Sequence, residues 1–135
     1  MENSKKRRAT IIYENENGIL LTRISNEPWL LPGGQAEYNE PRIIAAIREL
    51  YEETKLKAVD VQYLFDFEST YYHQKIFLMR ALGTPIPSHE VSAFNYYHPQ
   101  NPALFPDISK SSFEIIKRYL EMKIDNNLIQ VKTHP

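Results

Sequence analysis

Leu31-Pro32-Gly33-Gly34-Gln35-Ala36-Glu37-Tyr38-Asn39-Glu40-Pro41-Arg42-Ile43-Ile44-Ala45-Ala46-Ile47-Arg48-Glu49-Leu50-Tyr51-Glu52-Glu53-Thr54-Lys55-Leu56 is the stretch from which the rest of the chain can be placed. A Pro-Gly-Gly turn runs into a loop, and the loop runs into a helix. Asn39 suits the helix N-cap, because its side chain can accept a bond from an unpaired amide of the first turn. Pro41 then falls where a missing N–H costs little. Ile43, Ile47, Leu50 and Thr54 recur at three- and four-residue steps, with Ile44 and Tyr51 on the flank, which predicts one buried stripe.

The polar side of this helix carries the chemistry. At roughly 100° per residue, Glu49, Glu52 and Glu53 lie within about 100° of one another, facing away from the isoleucines. Like charges so spaced repel by about 0.2–0.5 kcal/mol per pair. The helix alone leaves two readings open: a solvated acidic face, or carboxylates gathered around a cation. Oxygen donors without thiol or imidazole suit a hard ion, Mg²⁺ or Mn²⁺.

The stretch resembles the Nudix box, Gly-x5-Glu-x7-Arg-Glu-(apolar)-x-Glu-Glu-x-Gly-(apolar). Gly34, Glu40, Arg48, Glu49, Leu50, Glu52, Glu53 and Leu56 occupy its positions in order. Lys55 stands where the family has the glycine that closes the helix, in a conformation that costs other residues about 1–2 kcal/mol. The resemblance implies an α/β fold, the Nudix-type α/β/α sandwich with a mixed β-sheet between helices, covering roughly residues 8–122. It implies hydrolysis of a nucleoside diphosphate linked to another group, with Mg²⁺ as cofactor and Mn²⁺ as its substitute. By residue-to-residue match, Glu49, Glu52 and Glu53 are the side-chain ligands, and the Gly33 carbonyl a further one. Glu52 or Glu53 also orients the attacking water, and Arg48 holds the carboxylates by ion pairing. Glu37 and Glu40 support the loop. A binding module that keeps the fold with weakened catalysis is the alternative, with Lys55 its one feature in the box.

At 135 residues the chain is expected to form one domain. A net charge of −1 gives no field that would favour a nucleic acid polymer or an anionic membrane. There are no cysteines, hence no disulfides or thiolate metal sites. No signal-peptide run and no membrane-length apolar stretch is evident, so a soluble, cytoplasmic protein is expected.

Outside the box, Met1 to Arg8 is mostly polar and ends in Lys5-Lys6-Arg7-Arg8, and residues 1–7 of it read as a mobile arm. Arg8, leading into a strand, is a candidate phosphate contact. Ala9 to Glu14 and Gly18 to Ile24 read as a hairpin around Asn17-Gly18. The family often carries a phosphate-binding cation where Arg23 stands. Trp29 shields the approach to the box. Ala58 to Phe67 and Tyr71 to Leu82 read as strands joined at Glu68-Ser69-Thr70. His89 to Tyr97 resembles the late family strand, whose neighbouring acid, here Glu90, can complete a metal site or act as base. Pro99 to Pro106 is a loop. Ser111 to Met122 reads as a helix with Phe113, Ile116, Tyr119 and Leu120 at helical spacing and a Ser111–Glu114 capping box. Residues 125–135 form a tail that either frays or adds an edge strand to a partner, which leaves a homodimer open. Tyr71, Tyr72, His73, Tyr96, Tyr97 and His98 could build a stacking platform, though packing is the commoner use of such aromatics. No histidine has metal-binding spacing. The short loops lean toward a compact substrate, an ordinary or oxidised nucleoside triphosphate.

Overall fold

Side chains alternate between two faces of one sheet, and each face has its own core. In β1 (Lys6–Asn15), Ala9 and Ile11 go one way and Ile12 the other. In β2 (Gly18–Arg23), Leu20 joins the first side, and Ile19 and Leu21 the second. The first core is closed by α1 (Arg42–Thr54) through Ala45, Ala46 and Leu50. The second is closed by α2 (Lys110–Asp125) through Ile115, Ile116 and Tyr119. This is the expected α/β/α sandwich, seen in a computed structural model that describes residues 5–101 and 107–125.

The remaining strands are β3 (Gly33–Gln35), β4 (Lys57–Glu68), β5 (Tyr72–Leu82) and β6 (Ala93–Tyr97). The sheet order is β4-β5-β1-β2-β6, with β3 paired to β1. Among the described strands, β1–β5 is the one parallel pairing, so the sheet is mixed. Near the hairpin β1 pairs with β2 at Glu14↔Ile19 and Asn15↔Gly18, but further back its partner is β3, at Ala9↔Gly34 and Thr10↔Gly33. The two glycines of the box are therefore part of the sheet, not simply a turn before the helix.

The helix buries a stripe rotated from the one expected, sharing Leu50 and Thr54 with it but not Ile43 and Ile47. Ala45, Ala46, Leu50, Glu53 and Thr54 face inward, whereas Ile43, Ile44, Ile47 and Tyr51 are exposed, Ile44 at 49 %. Two alanines let the helix backbone approach β1 and β3, and that approach carries Glu49 and Glu53 to the glycines. Helical spacing marks both stripes as apolar and cannot say which one meets the sheet. Nor is Asn39 the N-cap. It turns the chain with φ 62°, and Pro41 holds the N-cap position with no side-chain cap bond.

Other boundaries shift. Lys6 and Arg7 belong to β1 rather than to a mobile arm. His89 sits in a turn at φ 60°, so the last strand starts at Ala93. Ser109, not Ser111, caps α2: its Oγ accepts the Ser112 amide at 3.2 Å, and Phe113 points outward. Residues 102–106 of the proline-rich loop, the first four of the arm and 126–135 of the tail lie outside the described residues. Among the described residues, no helix is long and apolar enough to cross a membrane.

Lys55 takes the role of the missing glycine. It adopts the left-handed conformation, φ 64° and ψ 11°, and its amide donates to the Tyr51 carbonyl at 2.8 Å. Its ammonium lies 4.9 Å from the Tyr51 ring centre, which returns part of the conformational cost. Lys55→Gly should therefore raise unfolding stability by about 0.5–1 kcal/mol, read as a higher denaturant midpoint at unchanged slope. A lower midpoint would show that the lysine side chain contributes more than its backbone costs.

Candidate active site

Gly33 and Gly34 each make room for something. Gly33 has φ +149°, and a Cβ there would run into the Ala9 carbonyl. A Cβ on Gly34 would occupy the place of the Glu49 carboxylate. The amide of Gly33 donates to Glu53 Oε1 at 3.2 Å. Two carboxylates of α1 are thus set against the backbone of β3, Glu53 only 8 % exposed. Burial raises the pKa of both. Glu53 reaches about 8: burial dominates, the Gly33 amide opposes it, Glu49 adds to it, Arg8 opposes it and Glu90 adds a smaller push. Glu49 is also raised by burial, against the pull of Arg48.

Arg48 organises the outer side. Its guanidinium donates twice to Glu40, both bonds 2.8 Å, and reaches Glu49 and Glu52 at 3.1 Å each. Bonding to Glu40 raises the Arg48 pKa, and the same bonds bring Glu40 down to about 2. Glu40 Oε1 also accepts the Glu37 amide at 2.9 Å, which ties the loop before the helix to the arginine. Glu37 itself comes no closer to Arg48 than 3.9 Å.

The donor chemistry of the Glu49–Glu53 pair fits a hard divalent cation: two carboxylates are crowded and partly desolvated, and the burial that raises both outweighs the pull of Arg8 and Arg48. Glu52 is held by Arg48 and is the more exposed of the three. Among the described residues no three His, Cys, Asp or Glu side chains form a ready-made cage. Glu52 would have to turn from Arg48 to join the pair.

A cleft of about 400 Å³ is lined by Arg8, Thr10, Tyr71, Tyr72, Gln74 and Ser112 among others; neither carboxylate is in its lining, and Arg8 is what links it to the pair. Arg8 lies at the junction. Its Nη2 is 3.4 Å from the Leu31 carbonyl, and its charge is felt by both Glu49 and Glu53. Arg23 is committed elsewhere: Nε donates to the Glu27 carbonyl at 2.9 Å, and the guanidinium lies 5.4 Å from the Trp29 ring and 3.8 Å from Asp107. Trp29 itself is tied to the lead-in of α2, its amide donating to the Asp107 carbonyl. Glu90 is on the loop that crosses the end of α1, where the Ser88 amide donates to the Glu53 carbonyl at 3.0 Å. Of the aromatics, Tyr71 and Tyr72 line the cleft, while Tyr97 belongs to the core under α2.

Thr10 and Gln74 were not singled out from the sequence. Thr10 had a signal, a polar residue inside the apolar run Ala9 to Ile12, where a buried polar group needs a partner; Gln74, between His73 and Lys75, had none.

In metal-free protein the buried Glu53 sets a pH dependence. Its folded pKa, about 8, lies above the ordinary 4.5, so the unfolded chain releases the proton first. Stability should be fully present below pH 4.5 and fall progressively as pH rises to about 8. Glu53→Gln should remove that slope. In chelator, its melting temperature should exceed wild type at pH 8 and converge with it below pH 5. Parallel curves would contradict the burial assigned to Glu53.

The comparisons agree with this arrangement. A family model for the NUDIX domain matches residues 4–119. A solved structure from Chromobacterium violaceum, assigned to the Nudix hydrolase family, superposes with a TM-score of 0.82 at 32 % identity, covering 91 % of this chain and 81 % of that one. A bifunctional NMN adenylyltransferase/ADP ribose pyrophosphatase from Francisella tularensis, solved with AMP and a manganese ion, shares the fold at TM-score 0.69 and 18 % identity, over 87 % of this chain and 42 % of that one. Diphosphoinositol polyphosphate phosphohydrolase 3-alpha of Mus musculus is 42 % identical over 60 residues, which is 42 % of this chain and 37 % of the relative's length. Glycines that bring a strand backbone against helix carboxylates, on a sandwich matched along most of its length, assign the chain to the Nudix family.

Proposed function

We propose that this chain is a Mg²⁺-dependent pyrophosphohydrolase acting on a nucleoside diphosphate linked to another group, with Mn²⁺ able to replace Mg²⁺. The observation that carries the reading is the buried Glu49–Glu53 pair against Gly33 and Gly34, opening beside Arg8 onto the cleft. Glu49 and Glu53, joined by Glu52 and the Gly33 carbonyl, would hold the ion. When bound, it supplies Lewis acidity at the phosphate oxygens and a template for the attacking water. Arg48 holds Glu49 and, until Glu52 turns toward the ion, Glu52 as well, and Glu40 keeps Arg48 in place. Glu53, or Glu52 beside it, orients the water. Arg8 meets a substrate phosphate as a fixed cation. Arg23 and Glu90 have lesser parts: Arg23 is already bonded at its own corner, and Glu90 adds negative charge near Glu53.

The cleft favours a nucleotide over the highly phosphorylated ring named for the mouse relative. An inositol ring carrying several phosphates calls for several cations. Among the described residues the cleft offers one, Arg8, with the hydroxyls of Thr10, Ser69, Thr70, Ser109, Ser111 and Ser112 and two tyrosines around it. Such a lining suits a sugar and a base, and ordinary or oxidised nucleoside triphosphates are the first candidates, giving nucleoside monophosphate and pyrophosphate. The left-handed Lys55 leaves the box helix ending as the family glycine would, so the departure gives little weight to a module that binds without turnover.

The purified protein with Mg²⁺ should release a mononucleotide from at least one member of a panel of nucleoside triphosphates, nucleotide sugars and dinucleoside polyphosphates. Diphosphoinositol polyphosphate should be turned over poorly. Glu53→Gln should lower kcat on the order of 10²–10⁴-fold. Unchanged turnover in that variant removes Glu53 from the mechanism, and tight nucleotide binding without product at long times favours the binding module.

A further inference from the structure

Two residues outside the box hold Arg8 where the cleft meets the carboxylates. Arg8 and Gln74 face each other across the parallel β1–β5 ladder. Thr10 lies two residues along β1, on the same side of the strand. Its Oγ1 accepts the Arg8 Nε–H at 3.0 Å, and its O–H donates to Gln74 Oε1 at 2.7 Å. Thr10 is 1 % and Gln74 4 % exposed, so water does not compete for these bonds.

The chain of bonds has a direction. A threonine hydroxyl has one proton, and with that proton on Gln74 its lone pairs are left for the arginine. Gln74 is oriented in turn, its Nε2 lying 3.4 Å from Ser69 Oγ. The far end of the guanidinium is steadied by the Leu31 carbonyl at 3.4 Å and the Tyr72 ring at 6.0 Å. A free arginine loses part of its rotamer freedom on binding a phosphate. Here that ordering is done by the fold.

We propose that Thr10 and Gln74 are positioning residues that fix the Arg8 guanidinium between the hydroxyl-lined cleft and the Glu49–Glu53 pair, so that a substrate phosphate meets a preset cation. The inference rests on the reading of Arg8 as a phosphate contact, and its test separates the two.

Arg8→Met, Thr10→Val, Thr10→Ser and Gln74→Met are compared with wild type, each first shown to be folded by its melting curve. The substrate is the nucleotide that wild type turns over fastest with Mg²⁺. Arg8→Met should raise KM by more than tenfold. Thr10→Val should raise it about tenfold, the weight of one well-placed charged hydrogen bond, with kcat within about threefold of wild type. Thr10→Ser, which keeps the hydroxyl, should restore KM, and Gln74→Met should fall between. In ¹⁵N-resolved spectra the Arg8 Nε–H should be protected from exchange in wild type and Thr10→Ser and lose protection in Thr10→Val. General damage to the fold would not produce this split or its rescue by serine. If Arg8→Met raises KM while Thr10→Val and Gln74→Met match wild type, the positioning role is overturned and the Arg8 contact stands. If Arg8→Met leaves KM unchanged, both are overturned. Should Thr10→Val not fold, Gln74→Met and Thr10→Ser decide the matter.

Discussion

Two carboxylates pressed against a strand backbone are the constraint around which this molecule is arranged. Glu49 and Glu53 can reach Gly33 and Gly34 only if α1 lies close to β1 and β3. That approach requires small side chains at the contact, which Ala45 and Ala46 supply. It also requires β1 to exchange β2 for β3 as its partner along its length. The cost is visible in the raised pKa of both acids, since burial favours the protonated form. A globular domain has no reason to keep an unpaired carboxylate in such a place for stability alone. Such a pair is the donor set that the proposed function calls on, and a cation bound there would favour its ionised form.

Arg48 works on a different level. It does not neutralise Glu53; it engages Glu40, Glu49 and Glu52, and through Glu40 it fixes the loop between β3 and α1. The site therefore has an inner pair, Glu49 and Glu53, shared between helix and strand, and an outer carboxylate, Glu52, restrained by an arginine. Only Glu49 touches both parts. A cation entering at the pair would compete with Arg48 for Glu49, and in that competition the bidentate anchor to Glu40 is what keeps Arg48 from leaving.

Much of this was legible in the sequence, for a stated reason. The box fixed the helix, its acids and the arginine, because spacing along a helix translates directly into angle. The layered fold followed from the order of strand and helix periods. What spacing could not give was which apolar stripe of α1 meets the sheet. Ile43, Ile44 and Ile47 are more hydrophobic than Ala45 and Ala46, yet the alanines are inside, because close approach outweighed side-chain size. The cleft was also out of reach: Thr10 and Gln74 are far apart in sequence and become neighbours only through a parallel pairing that no local pattern announces. Arg8 was visible as a candidate, but its anchoring was not. Arg23 was visible as a candidate too, but not its hydrogen bond to the Glu27 carbonyl or its place over the Trp29 ring.

The departure at Lys55 shows that glycines in one motif can be needed for unlike reasons. Gly33 and Gly34 are steric requirements: a methyl group at either would strike the Ala9 carbonyl or the Glu49 carboxylate, and neither neighbour can yield without moving the site. At position 55 the requirement is conformational, a left-handed residue to end the helix, and a lysine meets it at a cost of about 1–2 kcal/mol. That cost is spread over the whole fold and does not enter the geometry of Glu49 and Glu53. Thr54, whose hydroxyl donates to the Leu50 carbonyl at 2.6 Å and accepts the Leu56 amide at 3.1 Å, secures the same helix end from within. The chain can therefore lose the closing glycine of the box and keep the placement of its carboxylates, whereas exchange of Gly33 or Gly34 would remove the space in which the carboxylates meet the backbone.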